Sequence, residues 1–299
     1  MTTTSLRVAA VSLAIAASPS DAAYAQRQPD TVHFMSADGK TNLVGYVFKP
    51  TEKRAARAPA VVMMHGRAGA YSLNVKDKGP YNASTLSMRH KQWGKIWSDL
   101  GYVAVMVDGF GPRGYPGGFA EGSYKDRPEA LNEVTVRPLD AYGSLAYLRA
   151  QPDVARDRIG LQGWSNGASA TLATMATDAP GIADHSAAAG FRGALVFYAG
   201  CGLHQKYDEK GYLPYTTVLQ FHGTNDKETP YKLCKELVDD SRENGGDIQL
   251  VTYRGASHSF DDPGRRRQEV DANQYARKNS IERSEKFFEG LLAKGLPPR

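Results

Sequence analysis

Apolar and polar residues follow two alternating periodicities along the chain from residue 31 onward. Two short segments, 31–37 and 42–50, flank Asp38-Gly39-Lys40 and predict a β-hairpin. Further on, apolar runs bounded by glycine or proline are typical of strands that are buried on both faces of a sheet. These later strands are predicted at 58–66, 102–110, 158–164, 194–200, 216–223 and 248–255.

The longer segments between the strands have helical periodicity. Between the first two of those later strands, Trp93, Ile96, Trp97 and Leu100 recur at the spacing of one helix face. Alternating strands and helices predict an α/β fold, in which helices cover both faces of a mostly parallel sheet. Since no change of composition divides residues 26–299, we expect one domain there. Its helices are predicted at 88–101, 138–150, 165–176, 230–242 and about 269–293.

The composition suits a folded domain of this size. Of the 299 residues, 41% are hydrophobic, which is enough for a large core. The formal net charge is only +5, and the densest basic cluster, Arg265-Arg266-Arg267, follows two aspartates in a loop with proline and glycine. A nucleic-acid-binding surface needs a broader basic face than this, so we expect no nucleic-acid partner.

The first 25 residues have the pattern of a secretory signal peptide. Arg7 precedes an apolar run at 8–17, and Ala23-Tyr24-Ala25 matches a cleavage site. The run is too short to span a bilayer and no other stretch is apolar enough, so we expect no stable membrane insertion. We therefore predict cleavage near Ala25 and export to the periplasm or the medium. A disordered tail or a retained anchor is the alternative.

Export leaves two interpretations of Cys201 and Cys234, the only cysteines in the sequence. In an oxidising compartment two cysteines can form a disulfide, whereas reduced cysteines are usually core thiols. Spacing along the chain does not establish that their Cα atoms lie close enough for a bridge. Both interpretations stay open at this point.

Ser165 lies at the centre of Gly163-Trp164-Ser165-Asn166-Gly167. A predicted strand ends and a predicted helix begins at this serine, which is the arrangement that a nucleophile elbow requires. Side chains at positions 163 and 167 would collide with neighbouring backbone, and this accounts for the two glycines. We therefore predict that Ser165 is a catalytic nucleophile rather than part of an ordinary turn.

A serine nucleophile needs a base, and the base needs an acid that orients it. Asp226 and His258 each follow a predicted strand of their own, so both lie at the edge of the sheet that carries Ser165. Serine, acid and histidine also come in the chain order that elbow-bearing folds use for a triad. We predict that His258 is the general base and that Asp226 fixes its tautomer.

Three other acids lie near these positions and compete with Asp226. Glu228 could replace it if the loop had another register. Asp261 and Asp262 are too close to His258 in the sequence to come from the end of a separate strand.

The tetrahedral intermediate of such a reaction needs N–H donors for its oxyanion. One donor is expected from the backbone amide of Asn166, the residue after the nucleophile. The other is expected from the loop that follows the strand at 58–66. There we predict the amide of Arg67, with Gly66 as the substitute.

Several longer motifs resemble the dienelactone hydrolase family, which has the α/β-hydrolase fold. The resemblance runs from about residue 58 to 290 and rests on MMHGRAG, VDGFGPRGY, RPLDAYGSLAYLRAQPDVARDRIGLQGWSNGA, FYAGCGL, HGTNDKETP and GASHSFDD. It implies that Ser165, Asp226 and His258 occupy the family's triad positions and that MMHGRAG is its oxyanion region. The chain departs from the enzymes that name the family, which use a cysteine nucleophile, and has Gly167-Ala168 where many relatives have two glycines.

The resemblance also bears on the two cysteines, because Cys201 and Cys234 look like a cysteine pair of exported relatives. If the strands that precede them are neighbours in the sheet, we expect a disulfide near the site. It would then hold the loop that carries Asp226.

The loop at 109–129 is long, rich in glycine and aromatic residues, and follows a strand at the active edge, which is typical of a functional lid or of a disordered insertion. Arg113 in this loop, together with Arg67, could bind a substrate carboxylate. Alternatively, either arginine is exposed to solvent or pairs with a protein acid such as Asp108. Four aromatic residues could line an apolar pocket for the substrate: Tyr115, Phe119, Tyr124 and Trp164. For Trp164, packing in the core is the alternative.

We predict a serine hydrolase of small or medium-sized esters or lactones, acting through an acyl-enzyme. One alternative is a serine peptidase of the same fold, although such enzymes usually carry a large extra domain. The other is a catalytically inactive binding protein, which would not need to keep all three triad residues. The sequence contains no HExxH, and its seven histidines do not pair at the spacing of metal ligands. We expect no metal and no cofactor.

Overall fold

The computed structural model describes Met1 and residues 28–50, 52, 56–75, 78–123, 126–207 and 210–292. Residues 2–25 of the predicted signal peptide, and Tyr124, lie outside the described residues. Among the helices of the described ranges, none has both the length and the hydrophobicity needed to cross a bilayer.

The described residues form one eight-stranded sheet with the order β1-β2-β4-β3-β5-β6-β7-β8. β1 and β2 form the predicted hairpin, and β2 is also antiparallel to β4, while all other neighbours are parallel. The strands are β1 (Asp30–Met35), β2 (Asn42–Phe48), β3 (Ala58–Met64), β4 (Val103–Asp108), β5 (Val154–Trp164), β6 (Ala194–Phe197), β7 (Val218–Gly223) and β8 (Ile248–Tyr253).

Helices cover both faces of the sheet, which confirms the predicted α/β architecture. They are α1 (Met88–Asp99), α2 (Arg137–Ala150), α3 (Asn166–Met175), α4 (His204–Tyr207), α5 (Tyr231–Glu243), α6 (Arg265–Gln268) and α7 (Asp271–Leu292). Side chains of α1 and α7 share one hydrophobic core, and those of α2, α3 and α5 share the other. Consecutive residues of β3 alternate between these cores: Val61 and Met63 face α1 and α7, and Val62 and Met64 face the opposite layer. Burial on both faces is why this strand is a continuous apolar run.

Three features of the fold differ from the sequence prediction. β5 begins at Val154 rather than at 158, because Val154 pairs with Ala58 ahead of an irregularity in the ladder. Six of the other strands end two or three residues earlier than predicted, where the chain leaves the sheet. The short helices α4 and α6 were not predicted, since four residues are too few to reveal a helical period.

A disulfide joins Cys201 to Cys234, whose Cα atoms are 5.0 Å apart. Cys201 begins a short 3₁₀ turn after β6, and Cys234 lies in the first turn of α5, which follows β7. The two preceding strands are neighbours in the sheet, which is the condition under which the bridge was expected. The bridge therefore links the chain after β6 to the helix that follows the loop carrying Asp226.

The direction of the crossovers changes at the middle of the sheet. β3 connects to β4 on one side, whereas β5, its neighbour on the other side, leads to β6 on the far side. At such a switch point the loops diverge at the carboxyl ends of the two strands and leave a crevice. The loop that begins at His65 and the turn at Ser165 both lie at this position.

Candidate active site

Ser165 occupies a sharp turn between β5 and α3. Its backbone has φ 53° and ψ −120°, a left-handed conformation that is unfavourable for a residue with a side chain. Its N–H donates to the carbonyl of Phe197 at 2.9 Å, and its own carbonyl accepts from the N–H of Ser169 at 2.9 Å. A Cβ at Gly163 would lie 2.3 Å from the carbonyl oxygen of Gly167, so the turn closes only with glycine there. The strained turn is thus held between the sheet and the new helix.

Ser165, His258 and Asp226 are joined in one hydrogen-bonded series. His258 Nε2 lies 3.0 Å from Ser165 Oγ, and His258 Nδ1 lies 2.8 Å from Asp226 Oδ2. The series is satisfied when Nδ1–H donates to the carboxylate and Nε2 accepts from the serine hydroxyl. This is the tautomer that a general base beside a nucleophile needs.

The loop after β7 holds the Asp226 carboxylate in place. Its Oδ1 accepts from the backbone N–H of Glu228 at 3.0 Å and of Thr229 at 2.8 Å, while its Oδ2 accepts from the Thr229 hydroxyl at 2.8 Å. Burial alone would raise the pKa of the Asp226 carboxyl. The hydrogen bond and charge of His258, together with the Thr229 donors, outweigh burial and lower this pKa below its ordinary value of 3.8. Asp226 is therefore an anion at neutral pH.

The competing acids lie elsewhere around the histidine. Glu228 is on the opposite side of the imidazole from Asp226, with its Oε2 3.6 Å from His258 Nε2. Asp262 pairs with Arg89 at 3.1 Å. Asp226 is consequently the acid at Nδ1, and Glu228 does not take its place.

Asp261 points into the core beneath the histidine and is fully buried. Its Oδ2 accepts from the indole N–H groups of Trp93 and Trp164, each at 2.9 Å. Its Oδ1 accepts from the Tyr198 hydroxyl at 2.5 Å and lies 3.3 Å from Arg89 Nε. Three hydrogen-bond donors and one ion-pair partner, from α1, β5 and the end of β6, therefore fix the loop that carries the histidine.

Trp164 is a core residue and does not line a pocket. It is fully buried and its only polar atom is bonded to Asp261. The structure thus places Trp164 in the core, as in the core-packing alternative, and not at a surface where it could line an acyl pocket. Sheet geometry explains this, because the residue before the elbow still belongs to β5 and faces the core with α1.

The predicted oxyanion region lies against the serine. A Cβ at Gly66 would be 3.4 Å from the Cβ of Ser165, so the loop after β3 passes directly over the elbow. Asn166 is the first residue of α3, and its backbone N–H has no acceptor inside the helix. The positive end of the helix dipole adds to the potential there. The Asn166 side chain is held by Arg137 at 2.7 Å and by Glu133 at 3.1 Å.

The loop at 109–129 is in backbone contact with the loop after β3. The N–H of Phe119 donates to the carbonyl of Arg67 at 3.0 Å. A Cβ at Gly118 would lie 1.9 Å from that same oxygen, and a Cβ at Gly69 would lie 2.5 Å from the carbonyl oxygen of Pro116. The two loops can approach this closely only because both contact points are glycines.

Arg113 has a structural partner. Its guanidinium forms two 2.8 Å hydrogen bonds with the buried carboxylate of Asp140 and a third, at 2.6 Å, with the carbonyl of Gly109. The acid is therefore Asp140 and not Asp108, which accepts from the Tyr71 hydroxyl at 2.7 Å. With its donors turned to these partners, Arg113 does not serve as the predicted carboxylate anchor.

Arg67 and the aromatic residues of the loop divide between paired, packed and exposed positions. Arg67 Nε lies 2.5 Å from Glu228 Oε1, and its NH2 lies 3.1 Å from Glu121 Oε2. Phe119 packs with Phe110 in a small cluster of its own. Tyr115 is exposed, so it is the residue of the predicted aromatic set, among those described, that solvent reaches most.

Sequence reasoning missed the supports beneath the site. The sequence indicates Asp261 only as an acid that competes with Asp226, although two buried tryptophans imply nearby acceptors for their indole N–H groups. The Arg137–Asn166 contact had no signal, because it joins residues 29 positions apart on two helices. Within the described ranges, no group of three or more histidine, cysteine, aspartate or glutamate side chains is arranged to hold a metal ion.

Solved structures with the same architecture define the class of this protein as the α/β-hydrolase fold. Esterase 2 of Thermogutta terrifontis with bound propionate aligns with a TM-score of 0.60 at 20% identity, covering 91% of this chain and 98% of that chain. The same esterase phosphorylated by paraoxon aligns with a TM-score of 0.62 at 20% identity, covering 90% and 97%. At this level of identity the likeness concerns the fold.

Within that class, the chain belongs to the dienelactone hydrolase family, whose model matches residues 43–292. This confirms the family resemblance of the motifs. A curated relative, the probable 2-oxo-3-(5-oxofuran-2-ylidene)propanoate lactonase of a Bradyrhizobium species, is 26% identical over 167 residues. The match covers 54% of this chain and 62% of the relative, which is less than two thirds of the relative's length.

Proposed function

We propose that this protein is a serine hydrolase that cleaves carboxylic esters or lactones through an acyl-enzyme. The observation that carries the proposal is the hydrogen-bonded series from Ser165 through His258 to Asp226, at the N-terminus of α3. Membership of the dienelactone hydrolase family and a fold shared with esterases support it.

In the acylation half-reaction, Ser165 Oγ attacks the carbonyl carbon while His258 Nε2 takes its proton. The imidazolium that forms is stabilised by the ionised Asp226, which also holds Nδ1–H in place. The oxyanion is bound by the backbone N–H of Asn166 and by an N–H of the loop after β3, from Arg67 or Gly66. His258 then donates the proton to the leaving alkoxide, and the acyl group stays on Ser165.

In the deacylation half-reaction, water takes the place of the alcohol. His258 accepts a proton from the water as its oxygen attacks the acyl carbon, and the proton then returns to Ser165 Oγ as the ester bond to the serine breaks. For a lactone, both products remain in one molecule, a hydroxy acid.

The relatives support small acyl groups and lactones as substrates. Structures of the Thermogutta esterase are described with propionate and with butyrate bound, and the curated relative is named a lactonase. We expect esters with short acyl chains to be hydrolysed faster than those with long ones.

The test is hydrolysis of p-nitrophenyl esters from acetate to octanoate by the mature protein and by Ser165→Ala. A fluorophosphonate probe is applied to the same samples. We expect turnover and labelling in the wild type and neither in Ser165→Ala, which removes a nucleophile that accounts for most of the rate in enzymes of this type. A wild-type protein that is folded yet gives neither signal would refute the proposal and favour a binding protein.

We also propose that the chain is exported after cleavage near Ala25. The signal-peptide pattern of the first 25 residues and the Cys201–Cys234 bridge support this, because such bridges persist in oxidising compartments. N-terminal sequencing of protein from a periplasmic extract should start near Gln26. An intact N-terminus in the cytoplasmic fraction would contradict export.

A further inference from the structure

Glu228 presents a second carboxylate to the imidazole, on the side of the nucleophile. Its Oε2 lies 3.6 Å from His258 Nε2, the nitrogen that is also 3.0 Å from Ser165 Oγ. Its Oε1 is held by Arg67 Nε at 2.5 Å, and its side chain is only 16% exposed. The carboxylate is therefore fixed at one end by an arginine and directed at the basic nitrogen by the other.

The acylation step does not require this second carboxylate. The serine hydroxyl already reaches Nε2 directly, and Asp226 already orients Nδ1–H. An anion beside the reacting carbonyl also opposes the oxyanion, unless a cation such as Arg67 balances it. A function for Glu228 is therefore to be sought in the half-reaction in which the serine hydroxyl is no longer free.

We propose that Glu228 orients the hydrolytic water during deacylation, an inference that rests on the proposed function. In the acyl-enzyme, Ser165 Oγ is esterified and Nε2 is left as an acceptor for water. For a water at about 2.8 Å from both Nε2 and Oε2, the angle between the two acceptors at the water oxygen would be about 80°. If the carboxylate moved by about 1 Å, the two acceptors would lie along the two O–H bonds of the water.

The step balances without any further reactant. The water oxygen forms a bond to the acyl carbon, and one water proton passes to His258 Nε2. The other O–H bond stays intact, donates to Glu228 Oε2, and becomes the hydroxyl of the acid product. The bond from the acyl carbon to Ser165 Oγ then breaks, and that oxygen takes back the proton from the imidazolium.

Arg67 provides a matched control, because it pairs with a second glutamate that does not face the histidine. Glu121 Oε2 lies 3.1 Å from Arg67 NH2, and its side chain is 68% exposed. Glu121→Gln thus removes one carboxylate from the arginine. Glu228→Gln removes the other carboxylate from the arginine and also changes the group that faces His258. With the amide oxygen turned to Arg67, the NH2 group points to the histidine and cannot accept a hydrogen bond from water.

The experiment follows a single turnover of p-nitrophenyl butyrate by stopped flow, together with intact-mass analysis of quenched samples. Release of p-nitrophenol reports acylation, and loss of the acyl mass reports deacylation. For Glu228→Gln we expect acylation within about twofold of the wild type and deacylation slower by about tenfold or more, with accumulated acyl-enzyme. For Glu121→Gln we expect both rates within about twofold of the wild type.

The outcomes separate this inference from the function on which it rests. Equal losses in acylation and deacylation for Glu228→Gln, or unchanged deacylation, would overturn the inference while leaving the hydrolase intact. The same slow deacylation in Glu121→Gln would overturn it as well, because the effect would then come through Arg67. A wild type without turnover or labelling would overturn both. If Glu228→Gln does not fold, Glu228→Asp, which keeps the charge but withdraws it, should still slow deacylation alone.

Discussion

Replacing Asp261 by asparagine tests whether one buried carboxylate fixes the histidine loop. Asp261→Asn keeps the size of the side chain but removes its charge and one of its two acceptor oxygens. With the remaining oxygen turned to the two indole N–H groups, the new NH2 group faces the Tyr198 hydroxyl, which donates to Asp261, and the Arg89 guanidinium, which forms an ion pair with it. At least one buried donor then loses its acceptor.

The magnitude follows from the two contacts that are lost. Removing one partner of a buried ion pair costs about 3–5 kcal/mol, because the other charge stays buried. Arg89 keeps its contact with Asp262 at 3.1 Å, which places the loss at the lower end. We therefore expect Asp261→Asn to lower the free energy of unfolding by about 3 kcal/mol, and to lower kcat because the loop shifts His258.

The assay is urea unfolding at pH 7 beside Asp262→Asn, which removes a charge from the same Arg89 at the neighbouring position. The Asp262 side chain is 36% exposed, so its ion pair should contribute at most about 1 kcal/mol. A loss below about 1 kcal/mol for Asp261→Asn, or equal losses in the two variants, would refute the reasoning that burial makes Asp261 the dominant support.

Three further predictions concern the elbow, the disulfide and a buried histidine. Gly163→Ala should prevent stable folding, because its Cβ would lie 2.3 Å from a backbone oxygen. Gly290→Ala in α7, where a Cβ would have nothing within 4 Å, should raise the melting temperature slightly. Similar thermal scans for the two variants would contradict this prediction. Replacing Cys201 and Cys234 by serine should lower the free energy of unfolding by about 3–4 kcal/mol, since the bridge closes a long loop; urea titrations that coincide with those of the oxidised wild type would count against it. Burial, with help from a neighbouring arginine, lowers the pKa of His90 to about 4, so the unfolded chain takes up a proton first as the pH falls. Stability from this group is therefore complete above pH 6.5 and declines by roughly 3 kcal/mol toward pH 4, and His90→Asn should flatten the measured pH dependence.

The sheet could be predicted from sequence because burial on both faces makes a strand a continuous run of apolar residues. β3 and β4 are apolar at nearly every position, since helices cover both of their faces. The position of Ser165 was also readable, because a strand, a tight turn and a helix each have a local signal. Asp226 and His258 could be inferred from the rule that loops at the carboxyl ends of parallel strands meet at one edge.

The remaining contacts of the site could not be predicted from the sequence, because their partners lie far apart along the chain. Arg113 could have paired with several acids, and only the packing of α2 against the loop brings Asp140 to it. The three hydrogen-bond donors to Asp261 and its ion-pair partner Arg89 come from residues 63 to 172 positions away. The contact of Glu228 with His258 Nε2 likewise depends on side-chain directions in two loops.

The hydrogen bond from Phe119 to the carbonyl of Arg67 has a consequence for engineering this protein. It ties the loop that would determine which substrates fit to the loop that would stabilise charge on the reacting carbonyl. A library that varies exposed positions such as Tyr115 can alter selectivity alone. Substitutions at Gly118 would displace the Arg67 backbone, so a variant at this position would change in selectivity and lose rate at the same time.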